Sequence, residues 1–569
     1  MKRVCVLSIL ILAVTMAACG GQKPESAAAA PPQAAPPSVQ APAVDGQAVL
    51  EHTKTLASDE FEGRAPGTRG EDLTVAYIAD QFKKAGIEPG NPDGSYFQDV
   101  PMVGITADPN TSLVFRKGGR EQRLKFRDEV VAWTKRVTDT VTVDRSDVVF
   151  VGYGVQAPEF NWDDYKGVDL KGKTMVVLVN DPPIPDPADP KQLDPKVFGG
   201  RAMTYYGRWT YKYEKGQKMG AAAVLIVHET GPAAYPFAVV QGKVSEQFSL
   251  VAPDKNMSRA AIEGWITLDQ AKALFTMAGR DFEAMKQAAL TREFKPVPLG
   301  ATASMTLKNT IRTVNSRNVV GKITGSDPAL KDQYVIYTSH WDHFGIGRPV
   351  NGDKVYHGAV DNATGIGGII EMGRAFAAMQ PRPKRSIVLL AVTAEEQGLL
   401  GSEYYARNPL YPLARTAGVI NVDGLNVLGK TKDLTVTGLG NSDLDDYARE
   451  VAEGQGRIIK PDPTPEHGGY YRSDHFPFAR QGVPALSSGG GVDYIGKPEG
   501  WGLKKQEEYI ANDYHKPSDK VRPDWDMSGA VQDLQYYWLV GYKVAQAPKF
   551  PEWKPGTEFK ALRDAMLKQ

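Results

Sequence analysis

Histidines and carboxylates in the second half of the chain fall in short clusters, most of them at the end of an apolar run. His340-Trp341-Asp342-His343 follows Tyr334 to Thr338, Glu395-Glu396 follows Ser386 to Val392, and Asp423 follows Val419 to Val422. Asp361 sits in Gly358-Ala359-Val360-Asp361-Asn362-Ala363-Thr364-Gly365, just before an apolar helical segment, and His515 in Asp513-Tyr514-His515-Lys516-Pro517-Ser518-Asp519. Imidazole nitrogen and carboxylate oxygen are donors that zinc takes, and a catalytic zinc leaves one position open for water. Two ions about 3.5–4 Å apart can share one carboxylate and clamp both sides of a tetrahedral intermediate. Such a site needs roughly two histidines and three carboxylates, plus a carboxylate off the metal to take the water's proton. An adjacent Glu-Glu pair at a strand end offers both kinds, because successive side chains point to opposite faces. Alone, Glu-Glu reads as a solvated pair and Asp-Asn as a turn or helix cap. Three such clusters at strand ends, with a flanking Asp and a late His, are not surface decoration.

The elements that must position these groups are legible in the hydrophobic pattern. Tyr334 to Thr338, Ser386 to Val392, Val419 to Val422 and Leu434 to Val436 are short apolar or β-branched runs, and Gly367 to Met379 reads as a helix. Strands alternating with helices predict an α/β fold, a mixed and mostly parallel central sheet buried on both faces. Ligands bind at the carboxyl ends of strands in such sheets, where the clusters fall. Glu71 to Ala85 carries an apolar helical stripe and Gly86 a stop signal. Residues 140–300 have a β-rich texture, with strands expected at Val148 to Val155, Thr174 to Val179 and Ala221 to Val227, and a proline-rich loop from Pro182 to Pro195. This region holds no catalytic cluster, and its isolated His228 reads as structural. The expected organisation is a leader at 1–18, a tether at 19–47, the first part of the main domain at 48–139, an inserted domain at 140–300, the main part at 301–548 and a tail at 549–569.

Lys plus Arg and Asp plus Glu each number 67, so no basic excess points to nucleic acid. The only cysteines are Cys5 and Cys19, so the folded body can form no disulfide and must hold zinc without thiolates. Lys2 and Arg3 precede the apolar run Val4 to Val14, which is too short to span a bilayer and fits a signal peptide. Met16-Ala17-Ala18-Cys19-Gly20 resembles a bacterial lipobox, which implies cleavage before Cys19 and lipidation of its thiol. Gly20 then favours the outer membrane, facing the periplasm. The Ala- and Pro-rich stretch that follows cannot bury enough surface to fold and reads as a tether.

His340-Trp341-Asp342, the Gly358–Gly365 segment, Ala394-Glu395-Glu396, Asn421-Val422-Asp423 and His515-Lys516-Pro517-Ser518-Asp519 together resemble the two-zinc aminopeptidases of peptidase family M28. Leu56 to Arg64, with Pro66-Gly67-Thr68 and Gly70, is similar to that family's N-terminal signature, and 140–300 resembles its inserted protease-associated (PA) domain. The resemblance implies two zinc ions per chain and peptide substrates. It makes His340, Glu396, Asp423 and His515 ligands and Asp361 the bridge, so that His340 and Asp423 serve one ion and Glu396 and His515 the other. Glu395 is then the general base. Asp342 is expected to orient His340, and Asp519 to orient His515. Tyr470 or Tyr471 is expected to donate to the developing oxyanion, and Asp474 and His475 to lie beside the pocket. A carboxypeptidase or dipeptidase of the same fold, a glutaminyl cyclase and a receptor-like relative without activity are the alternatives. Nothing in the sequence sets an oligomeric state.

Overall fold

The computed structural model describes residues 41–242 and 246–568. The leader, Cys19 and most of the tether lie outside the described residues. The stretch expected to be tether up to 47 gives way to helix α1 (Gly46–Leu56), whose first turn is capped by the Asp45 carboxylate on the Gln47 and Ala48 N–H groups. Among the described residues no helix is long and apolar enough to cross a membrane.

The main body is one mixed sheet. Its strands are β1 (Phe97–Ala107), β2 (Val297–Ile323), β3 (Tyr334–His340), β4 (Ser386–Val392), β5 (Thr416–Asn421), β6 (Asp433–Thr437), β7 (Ile458–Pro461) and β8 (Ala485–Gly490). They lie in the order β1-β2-β4-β3-β5-β8-β6-β7. The central four, β4-β3-β5-β8, are parallel, and the sheet turns antiparallel where β2 meets β4 and where β8 meets β6. The continuous apolar runs follow from burial on both faces. In β4, Ile387, Leu389 and Ala391 enter one core and Val388, Leu390 and Val392 the other. The first core is covered by α1, α2 (Arg69–Lys84), α3 (Thr364–Ala378) and α4 (Ser528–Gln546).

A second body has its own sheet and its own core, which runs from Ala107 to Leu307. The insertion therefore begins about thirty residues before the expected boundary at 140. Its first hairpin, Ser112–Lys117 with Arg120–Lys125 across Gly118-Gly119, is too polar on its outer face to stand out in sequence. The strand expected over Val148 to Val155 is instead Thr140–Phe150; Gly152 and Gly154 have φ of 61° and 62° and turn the chain out of the sheet. β2 belongs to both bodies. Its first half pairs with Thr140–Phe150 and its second with β1 and β4, so one continuous strand joins the two sheets.

Of the stretch 549–569, expected as a tail, the described residues 549–568 pack as structure. Trp553 is buried in the second face of the main sheet and donates from its indole to the Gly482 carbonyl (2.8 Å), and Arg563 is buried with its guanidinium on the Leu413 and Thr416 carbonyls. Trp553→Ala is expected to destabilise the protein by about 3–5 kcal/mol in denaturant unfolding. A loss under about 1 kcal/mol would place this segment outside the core.

Candidate metal centre

Three strand ends converge because β3 lies between β4 and β5 with all three parallel. His340 is paired with Val392 and Thr338 with Asn421, so His340, the Glu395-Glu396 turn and Asp423 emerge side by side at the carboxyl edge. Asp361 comes from the irregular turn Ala359–Ala363 ahead of α3. Asn362 binds that turn to the sheet: its amide donates to Ser339 Oγ (3.0 Å) and the Val422 carbonyl (3.2 Å), and its oxygen accepts from Gly365 (3.1 Å) and Gly424 (2.8 Å). Gly365 is required there, since a Cβ would stand 2.1 Å from the Asn362 oxygen.

The Asp361 carboxylate divides between two imidazoles. Oδ1 is 3.2 Å from His340 Nε2 and Oδ2 is 3.3 Å from His515 Nε2. His340 Nε2 is also 3.3 Å from Asp423 Oδ1, and His515 Nε2 is 3.2 Å from Glu396 Oε2. The five expected ligands thus form two sets of one imidazole and two carboxylates that share Asp361. His340, Asp361 and Asp423 bring one ligand atom each within 4.8 Å of one another, as a cation site requires. This N/O donor set fits zinc. Burial works against charge on His340, but Glu395 and Asp423 outweigh it and raise its pKa well above the ordinary value. The His515 imidazole is disfavoured by burial yet raised to about 9 by Glu396 and Asp361. The Asp361 carboxyl, despite its burial, lies well below the usual range because His340 and His515 face it.

Glu395 differs from its neighbours. Among the described residues its carboxylate has no hydrogen-bond or ion-pair partner, and only its backbone is engaged. Burial, then Glu396, Asp474 and Asp423, push its pKa well above the usual carboxylate range, against the pull of His340. A carboxylate held free and proton-hungry beside a metal cluster can act as a base.

One expected role is extended and one corrected. Asp342 faces His340 Nδ1 with its backbone carbonyl (3.1 Å) and with its carboxylate (3.8 Å), and the carboxylate also accepts from the Glu395 N–H (3.0 Å) and the Glu396 N–H (3.4 Å), which fixes the Glu-Glu turn. Asp519 does not hold His515. It accepts from the backbone N–H groups of Val360 and Asp361, both at 3.1 Å, and from the Tyr509 hydroxyl (3.3 Å), and so fixes the bridging residue. Tyr470 donates to the Ala485 carbonyl (3.4 Å) and Tyr471 to Glu558 (2.8 Å), which engages both hydroxyls away from the cluster. Asp474 accepts from Ser402 (2.6 Å), and burial lifts it to about 7. His475 is buried against Tyr470 at 4.7 Å, and burial lowers it to about 4, so it is a neutral packing group.

His343, expected either to support the ligands or to lie exposed, and three residues given no expected role also shape the site. His343, buried, places Nδ1 2.7 Å from Glu396 Oε1, so one oxygen of Glu396 is anchored and the other is left facing His515. Asp361 and Glu396 also lie close enough to His343 to make a cation site with it. Ser473 donates to Asp423 Oδ2 (2.5 Å) and accepts from Asn421 (2.7 Å). Tyr514 stacks on His515 with centroids 3.7 Å apart, and its pKa is raised by burial and then by Asp361, Glu396, Glu395 and Asp423. Arg64, buried, donates to the carbonyls of Trp341, Leu56, His357 and Gly358 at 2.7–2.9 Å, tying the His340 loop to the Asp361 turn. Arg64 lay inside a recognised motif and Ser473 beside two expected residues; Tyr514 carried no signal beyond adjacency to His515.

Residues 318–539 match Peptidase family M28. Over 169 residues the chain is 32% identical to aminopeptidase NAALADL1 of Mus musculus, covering 27% of this chain and 21% of that protein. Over 110 residues it is 34% identical to a probable zinc metalloprotease of Pyrenophora teres f. teres (strain 0-1), covering 19% of this chain and 23% of that protein. The match thus spans about a fifth of the length of these relatives. Among solved structures, an aminopeptidase from Aneurinibacillus sp. strain AM-1 aligns with a TM-score of 0.48 and 19% identity, covering 89% of this chain and 96% of that one.

The anchoring of Glu396 is testable without catalysis. His343→Leu is expected to weaken retention of one cation by about tenfold or more, while His343→Asn, which keeps a donor at the Nδ1 position, retains it. Metal content after dialysis against graded chelator measures this; equal retention by both variants would show that His343 only packs.

Proposed function

We propose that this chain is a zinc-dependent exopeptidase of family M28, an aminopeptidase that removes N-terminal residues from peptides. The observation that carries this reading is Asp361 shared between His340 and His515 beside a free, elevated Glu395. When bound, two zinc ions supply Lewis-acid polarisation of the scissile carbonyl and acidify the attacking water. His340 and Asp423 would hold one, Glu396 and His515 the other, and Asp361 both.

The chain's own residues do the rest. Glu395 accepts the proton of the attacking water and returns it to the leaving amine, a transfer suited to a carboxylate whose pKa lies far above its ordinary value. Tyr514, partly exposed and stacked on His515, is the aromatic hydroxyl in the field of all four carboxylates, and it supplies the hydrogen bond to the developing oxyanion in place of Tyr470 or Tyr471. Asp342 keeps Glu395 in place through its backbone N–H. The 107–307 body is read as a protease-associated domain. The leader and Cys19 are read as a lipoprotein signal, which would place the enzyme on the bacterial envelope.

Glu395→Ala is expected to keep its zinc and lose roughly ten-thousand-fold in turnover of amino-acid anilides. Activity within tenfold of wild type would remove Glu395 from the base role. Asp361→Ala should lose metal itself, and two zincs retained by that variant would contradict a bridge. N-blocked peptides separate the exopeptidase types: an aminopeptidase leaves them intact, and their cleavage from the C-terminus would establish a carboxypeptidase instead.

A further inference from the structure

One buried histidine near the bridging residue takes no part in the cluster. His357 lies four positions before Asp361 and is 2% exposed. Its Nδ1 is 3.0 Å from the Ala57 carbonyl. A carbonyl only accepts, so Nδ1 carries the proton and Nε2 presents a lone pair. That Nε2 is sealed from solvent and has no hydrogen-bond partner. It faces Asp353 Oδ2 at 3.5 Å and Asp59 Oδ1 at 3.7 Å. Asp353 opens the short strand Asp353–Tyr356, and Asp59 opens the turn Asp59–Phe61 that follows α1.

A lone pair facing two carboxylates requires a positive charge between them. A proton on Nε2 answers this poorly, because both oxygens lie beyond the roughly 2.7–3.2 Å of an N–H···O bond. A metal ion fits the spacing: donors about 2.0–2.2 Å from a tetrahedral zinc lie about 3.3–3.6 Å from one another. Asp353 is at that separation, and Asp59, with its side chain 86% exposed, is free to rotate inward. An imidazole whose other nitrogen donates to a backbone carbonyl is also how a metal-binding histidine is oriented. The Asp353 carboxylate is already held ionised. Its Oδ1 accepts from the Val355 N–H (3.0 Å), its Oδ2 is 2.5 Å from Lys520 Nζ, and Lys520 and then the Val355 N–H lower its pKa to about 2. The Lys520 ammonium is therefore a competitor for the oxygen that faces His357. The neighbours of these residues hold the bridge. The His357 and Gly358 carbonyls both accept from Arg64, and Lys520 follows Asp519, the acceptor of the Val360 and Asp361 N–H groups.

We propose that His357, Asp59 and Asp353 form an additional cation site, for a divalent ion of the zinc class, that clamps the end of α1 to the chain entering the Asp361 turn. It shares no residue with the cluster around Asp361 and stands whether or not that cluster hydrolyses peptides. One imidazole and two carboxylates leave a fourth position for water, as zinc accepts. Calcium takes six to eight oxygens and magnesium an octahedron of them, so a nitrogen among three donors selects against both. Binding of the ion displaces Lys520 from Asp353 and stiffens the approach to the bridging carboxylate.

Zinc titration of the chelator-stripped full chain, followed by calorimetry and by metal content after gel filtration, tests the site without catalysis. Wild type is expected to hold one zinc per chain more than either Asp59→Asn or His357→Gln. Asp59 is exposed, so its variant decides the matter even if His357→Gln fails to fold. Lys520→Gln removes the competing charge and should bind this zinc about tenfold more tightly. A plain ion pair between a protonated His357 and Asp353 predicts no such gain. Equal zinc content in wild type and both loss variants would overturn the site and leave a proton on Nε2. Loss of more than one zinc by Asp59→Asn would make Asp59 a support of the Asp361 cluster and overturn a separate site. The additional zinc found in a protein that hydrolyses no peptide would sink the peptidase reading alone.

Discussion

The shared carboxylate of Asp361 is the constraint to which the surrounding loops are fitted. One oxygen faces His340 and the other His515, and these histidines are 175 positions apart in the chain. A carboxylate can bridge only if its plane is held against rotation, and its own backbone is irregular at that point. The restraint comes from three directions. Asn362 binds the turn to the ends of β3 and β5, Asp519 accepts the Val360 and Asp361 N–H groups, and Arg64 holds Gly358 and Trp341 by their carbonyls. Buried polar groups are costly unless paired, and here the pairing is what converts three loops into one rigid site.

The same economy of partners explains why Glu395 and Glu396 behave differently though adjacent. Glu396 has both oxygens engaged, one by His343 and one facing His515, and its pKa is lowered despite burial. Glu395 has neither engaged, so burial and the surrounding carboxylates raise it. Strand-end geometry separates the two side chains, and the Asp342 carboxylate, lying under both N–H groups, keeps the turn from relaxing. Which of two identical groups has a partner decides which is held ionised and which is pushed toward its proton.

The sheet and the strand-end placement of the clustered histidines and carboxylates were legible because they obey short-range rules: apolar runs of strand length, and polar residues immediately after them. β4 coincides with the run expected at Ser386 to Val392, and α3 begins only three residues before its expected start at Gly367. What was not legible depends on approaches between distant loops. His343 meets Glu396 across 53 positions and Ser473 meets Asp423 across 50, and no periodicity reports either. The role expected for Asp519 was wrong for the same reason, since it lies four positions after His515 while its carboxylate faces the backbone N–H groups of Val360 and Asp361. The early insert boundary was hidden because the hairpin after Ala107 alternates polar and apolar residues as weakly as a surface loop.

That boundary bears on how the two bodies act together. β2 runs for 27 residues and pairs with the insert at one end and the main sheet at the other. A continuous strand hydrogen-bonded on both sides does not hinge readily, because bending it breaks ladder bonds in both sheets. The insert is thus tethered stiffly on one side and meets the main body again at Met203, Tyr205 and Arg208 on the other. With both attachments in place, the position of Arg208 relative to Ser473 and Asp423 is a property of the fold rather than of a mobile lid.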